Sequence, residues 1–72
     1  WKVTIPSGIE LHTCQVFDRW GELVYSTGKS EQIIWDGRFK GRQVPIGVYV
    51  YVIHYSQNEE EKVMTGDITV IR

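Results

Sequence analysis

The chain has 72 residues, with eight Lys and Arg against nine Asp and Glu and a net charge of −1. That length allows one domain with a small core, because a chain of this size buries only about 60% of the surface it exposes when unfolded. Evenly mixed charge argues against nucleic acid as a partner, which needs a concentrated cationic footprint. The longest apolar run, Val48 to Ile53, is far shorter than the ~20 residues of a membrane-spanning helix, so no transmembrane segment is expected.

Alanine, the strongest helix former, is absent, and Val, Ile, Thr, Tyr and Trp dominate. This is a strand vocabulary. Strands are expected near residues 1–5, 10–18, 22–26, 32–36, 48–56 and 62–71. Turn signals separate them at Pro6–Gly8, Asp18–Gly21, Thr27–Ser30, Asp36–Gly37, Lys40–Gly41, Pro45–Gly47 and Gln57–Glu60. Short strands at such spacing predict an all-β sandwich or barrel with no helix longer than a turn.

The first two long strands meet at Asp18-Arg19-Trp20-Gly21. Asp suits the first position of a type I turn, where its carboxylate accepts backbone N–H groups ahead of it. A glycine after that turn supplies the left-handed residue of a bulge that matches the strand twist. Trp20 is then carried on the turn itself. Further on, Tyr49, Tyr51, Ile53 and Tyr55 share one strand face, and Val48, Val50, Val52 and His54 the other. The tyrosine face is taken as the inner one, each hydroxyl reaching the rim of the core. Ile68 and Val70 of the last strand point to the same interior, while Asp67 and Thr69 face outward and Ile71 breaks the pattern.

Nothing in the chain assembles a catalytic constellation: there is no Ser–His–Asp pattern, no phosphate-cradling glycine loop and no Cys–His pair. Asp18, Asp36 and Asp67 read as turn or strand-end residues, and Glu59-Glu60-Glu61 as a solvated hairpin tip. His12 and His54 lie at no ligand spacing, so neither a metal nor another cofactor is expected. Cys14, the single cysteine, excludes an internal disulfide and reads as a small buried hydrophobe. The tryptophans and tyrosines suit a core that needs large side chains. A sugar-binding platform is the alternative use of them, and it predicts a row of coplanar exposed rings. The chain opens on Trp1 without a signal peptide, as expected for part of a longer polypeptide.

The run Val16-Phe17-Asp18-Arg19-Trp20-Gly21-Glu22-Leu23-Val24-Tyr25 resembles the (N/D)RWG-x-x-V hairpin of gliding-motility-associated C-terminal domains. These are the type B sorting domains of the type IX secretion system in Bacteroidetes-group bacteria. Trp35-Asp36-Gly37, Gly41, Val44-Pro45, Gly47, Tyr49 and Tyr51 are similar to the same family's WDG…G…(V/L)P-x-G-x-Y-x-Y stretch. The ending Gly66-Asp67-Ile68-Thr69-Val70-Ile71-Arg72 resembles its closing strand. The family's acidic opening segment, of the form FSPNGDGxND, is missing.

The resemblance implies a small immunoglobulin-like antiparallel β-sandwich of six to seven strands, forming one non-catalytic sorting domain over residues 1–72. It implies a C-terminal signal on a larger secreted protein. Its partners would be outer-membrane components of the type IX translocon and the upstream cargo domains of the same chain. Its route would run through the periplasm to the cell surface or the extracellular space. Recognition candidates carried over from the family are Arg19, Trp20 and Gly21 at the turn, and Gly66, Asp67, Ile68, Thr69, Val70, Ile71 and Arg72 in the last strand. The competing functional readings are an immunoglobulin-like structural or interaction module, of the flagellar-hook-capping or adhesin kind, and a carbohydrate-binding module.

Overall fold

The computed structural model describes residues 1–28 and 32–71. The expected Thr27–Ser30 turn lies partly outside them, and Arg72 lies wholly outside. The described residues form antiparallel strands and no helix: β1 (Lys2–Thr4), β2 (Ile9–Phe17), β3 (Leu23–Thr27), β4 (Gln32–Ile34), β5 (Arg38–Phe39), β6 (Arg42–Gln43), β7 (Gly47–Gln57) and β8 (Glu60–Val70). All six expected strands are present. The additional pair, β5 and β6, flanks the two-residue turn Lys40-Gly41, whose φ angles of 53° and 79° mark a type I′ hairpin. Strands of two residues are too short to show a period, which is why this segment reads in sequence only as turns.

A four-stranded sheet in the order β3-β2-β7-β8 forms one layer. The opposing layer is built from the ribbon β1-β4 and the β5-β6 hairpin. Backbone bonds from Trp35 N to Trp1 O (2.8 Å) and from Trp1 N to Trp35 O (2.9 Å) extend the ribbon by one pair. Two apolar clusters join the layers. Leu11, Cys14 and Ile53 of the large sheet pack with Ile33 of β4, flanked by Val3 and Ile5. Val16, Val24, Tyr49 and Ile68 pack with Trp35 and Val44, flanked by Phe39. Tyr25 and Tyr51 touch both clusters, making one continuous core between the layers. The result is a small two-layer sandwich.

The inner face of β7 is the tyrosine face: Tyr49 is 4% exposed and Ile53 5%, against 54% for Val48 and 40% for Val50. The Tyr49 hydroxyl donates to Pro45 O at 2.7 Å, bracing the entry to β7 as the tyrosine corner does in immunoglobulin-type sandwiches. The indole of Trp35 meets the Tyr49 ring edge-on at 5.5 Å and donates its N–H to Arg38 O. A buried indole N–H needs such an acceptor.

One irregularity in β2 sets which residues enter the core. Leu11 pairs with Tyr55, but Thr13 pairs with His54, so His12 is an extra residue in the ladder. Strict alternation from Leu11 would send Thr13 and Gln15 inward. The bulge resets the phase, and Leu11, Cys14 and Val16 are the buried residues. His12 Nε2 meets Ser56 Oγ beside this bulge.

Candidate functional site

The β2–β3 connection is a three-residue hairpin loop, a type I turn followed by a bulge glycine. Gly21 N donates to Asp18 O at 3.1 Å and Asp18 N to Glu22 O at 2.9 Å. The Asp18 carboxylate oxygen Oδ1 accepts from Trp20 N (2.9 Å) and Glu22 N (2.8 Å). Gly21 has φ +83°, the left-handed region that a Cβ disfavours. One side chain and one glycine therefore hold the loop in a single shape.

That loop presents Trp20 to solvent. Its side chain is 82% exposed and no other ring packs on it among the described contacts. The Arg19 guanidinium lies 5.5 Å from its ring centroid, a weak cation–π contact at an exposed site. The pair stands at the rim of an open groove of about 340 Å³ that runs past Phe39, Arg42, Ile46 and Tyr49. Ile46 and Val48 add exposed apolar surface beside Trp20, and Lys40 sits over the Phe39 ring at 5.2 Å. In the sequence Arg42 and Ile46 carry no signal of their own, and Val48 is marked only as an outer-face strand residue. Their convergence on the Arg19–Trp20 loop depends on the fold, because β7 begins at the sheet end where β2 turns into β3.

The terminal-strand candidates divide. Ile68 is in the core, and Val70, half-buried, packs against it. Gly66 is half-buried and lies beneath the Tyr51 ring: a Cβ built there would stand 2.5 Å from Tyr51 Cζ and 2.6 Å from Cε2. Asp67, Thr69 and Ile71 are exposed. The strand is separated from the Arg19–Trp20 loop by β7 in the sheet, so the two groups form distinct surfaces.

Among the described residues, no group of three or more His, Cys, Asp or Glu side chains is placed to hold a metal ion. Cys14 is fully buried, and burial pushes its thiol up from 9.0 to about 11. A thiol so placed stays protonated at neutral pH and is a poor nucleophile. The exposed aromatics form no sugar platform: Trp35 is buried, and Trp1 packs on Tyr51 at 5.2 Å with the rings tilted by 36°. No helix among the described residues is long and apolar enough to cross a membrane.

No curated protein and no solved structure matches the chain. A family model does match, over residues 1–70: the CHU_C type IX secretion signal domain. The matched span takes in the Arg19–Trp20 loop, the tyrosine strand β7 and all of β8, the segments on which the sequence resemblance rests. The chain belongs to the type IX secretion signal domains, and it is a sorting signal that marks the polypeptide carrying it for export by that system to the cell surface or beyond.

Proposed function

We propose that this domain forms the C-terminal signal of a larger cargo protein, is read in its folded state from the periplasm by outer-membrane components of the type IX translocon, and has no catalytic activity of its own. The observation that carries this reading is the Arg19–Trp20 loop. A tryptophan left 82% exposed contributes nothing to the core, yet two hydrogen bonds to Asp18 and a left-handed Gly21 fix its position. Rigid, exposed Trp and Arg side chains are the residue types that dominate binding energy at protein interfaces. Ordering them in advance reduces the entropy lost on association.

The test is a fusion of this domain, with its native upstream segment, to the C-terminus of a periplasm-directed reporter in a host with a type IX system. The intact fusion is expected outside the outer membrane. Arg19→Ala and Trp20→Ala are surface changes, which usually alter stability by no more than about 0.5 kcal/mol. Export should fall for both while their melting curves coincide with the parent's. A stable, folded fusion that stays in the periplasm would refute the reading. Full export of both variants would remove the loop from it.

A further inference from the structure

The inner side of the four-stranded sheet packs on the β1-β4 ribbon and the β5-β6 hairpin through the two apolar clusters. In a two-layer sandwich the outer side of such a sheet normally alternates to polar residues. Here three successive outward positions of β7 are Val48, Val50 and Val52. The register sets Phe17 of β2 beside Val50, and Leu23 of β3 beside Phe17. An apolar column along β7 therefore meets an apolar row across three strands. Val48, Val50 and Leu23 are exposed, while Phe17 and Val52 are half-buried. Apolar side chains scattered singly on a surface are ordinary, but a contiguous patch marks a contact. Trp1, where the described chain enters, packs on Tyr51 and so lies on the opposite side of the sheet.

Charge on this outer face has one sign. Its strand positions carry Glu10 on β2, His54 on β7, and Glu61 and Asp67 on β8, with no Lys or Arg. Asp67 closes the apolar row, directly beside Val50. Lys62 belongs to the other face, where its ammonium reaches the Gln57 side chain. Arg19 stands beyond the end of the strands, over the Trp20 ring. A second copy laid on the patch, in whatever orientation, doubles the carboxylates and brings no Lys or Arg to offset them. Desolvating unpaired carboxylates is costly. Size argues the same way. Four strands about 4.8 Å apart, with about eight residues each at about 3.3 Å, give a face of about 500 Å². A stable interface takes about 800 Å² from each partner. The patch suits a short-lived contact with a cationic partner.

We propose that the outer face of the four-stranded sheet, centred on Val50, docks a component of the type IX translocon that presents apolar side chains flanked by Lys or Arg. The proposal rests on the reading of this chain as a secretion signal, and it adds a second surface to the Arg19–Trp20 loop. The two adjoin, because Val48 belongs both to the patch and to the groove beside Trp20. Apolar contact at the centre supplies affinity, and Glu61 and Asp67 at the rim attract and orient the partner's cations. A short-lived contact suits a carrier that must release what it carries.

Titration of the native polypeptide that carries this domain with the detergent-purified outer-membrane translocon tests this. Val50→Thr keeps the branched shape and strand preference of the side chain and removes its apolar character. Glu61→Lys with Asp67→Lys reverses the charge of the face. Each should weaken binding by about tenfold or more while the melting curve stays with the parent's, and Val48→Thr replaces the first variant if that one melts early. Raised salt should weaken the parent's binding and spare that of the charge-reversed chain. In a Val50→Cys chain the native Cys14 is fully buried, so a maleimide should label the new thiol in the free polypeptide and be kept from it in the complex. Binding of both variants at the parent's strength overturns the face proposal and leaves the secretion reading intact. Binding that Val50→Thr weakens but charge reversal leaves unchanged or strengthens overturns the cationic partner. Protection of the new thiol in the free polypeptide also overturns the proposal: a second copy is the occupant if protection rises with concentration, and another part of the same polypeptide if it does not. If the unmodified polypeptide does not bind the translocon at all, the secretion reading itself fails, and the face proposal with it.

Discussion

Adding one methyl group at Gly66 probes a contact on which the inner side of β8 is built. Gly66 pairs with Tyr51 across the β7–β8 ladder, and the Tyr51 ring lies over it, so a Cβ there would stand 2.5 Å from Cζ and 2.6 Å from Cε2 and would also meet the hydroxyl oxygen. Carbon atoms prefer to sit about 3.5–4.0 Å apart, so the ring or the strand must move by about 1 Å. The ring is not free to do so without loss, because it also meets Trp1 at 5.2 Å and packs against both core clusters. Overpacking of this kind costs about 1–3 kcal/mol. Against it stands a gain of about 0.5–1 kcal/mol, because glycine inside a strand loses more conformational freedom on folding than alanine does. The expected net loss for Gly66→Ala is about 1–2 kcal/mol. For a domain of this length each kcal/mol moves Tm by about 4–8 °C, so a drop of about 5–15 °C should appear in thermal melts.

A double-mutant cycle separates the two terms. In a Tyr51→Ala background the clash is gone, and Gly66→Ala should become neutral or stabilising by up to about 1 kcal/mol. The reasoning is refuted if Gly66→Ala matches the parent while Tyr51 is present, or if its effect is the same in both backgrounds. Either result would mean that the ring does not lie across the glycine.

The two faces of β7 give a second comparison: Tyr49→Ala should cost about 3–5 kcal/mol and Val50→Ala clearly less, because Tyr49 is buried and bonded to Pro45 O while Val50 is 40% exposed. Equal losses in denaturant melts would mean that the core lies elsewhere. The turns give a third, with opposite signs. Gly21→Ala at φ +83° should destabilise by about 1 kcal/mol. Glu59→Gly should stabilise by about 1 kcal/mol, since Asn58 and Glu59 have φ of 53° and 66° and form a type I′ turn that favours Asn-Gly. Coincident melting curves for the three proteins would show that these backbone angles carry no strain.

Much of this arrangement was legible before the fold was known, and for definite reasons. Strand period places Tyr49 and Ile53 inward and Val48 and Val50 outward, because side chains alternate along a strand whatever lies on either side. Asp18 and Gly21 announced their turn because only a short carboxylate and a residue without a Cβ satisfy that loop. The burial of Cys14 also followed from its setting. The bulge at His12 left a weaker trace. Apolar residues at Ile9 and Leu11 and then at Cys14 and Val16 break step by one, a slip visible only if alternation is counted across the whole strand.

Local pattern therefore determined six of the eight described strands, the inward faces and the turn that displays Arg19 and Trp20. Motif order identified the family. Tertiary structure alone decided what each face meets: β4 pairs with β1, Tyr51 covers Gly66, and Ile33 of β4 lies against Leu11, Cys14 and Ile53. Periodicity says on which side of a strand a residue lies, but not which distant segment arrives there. That choice is made by long-range packing and backbone pairing between residues far apart in the chain, such as Trp1 with Trp35 and Gly47 with Val70, and local sequence carries no record of it.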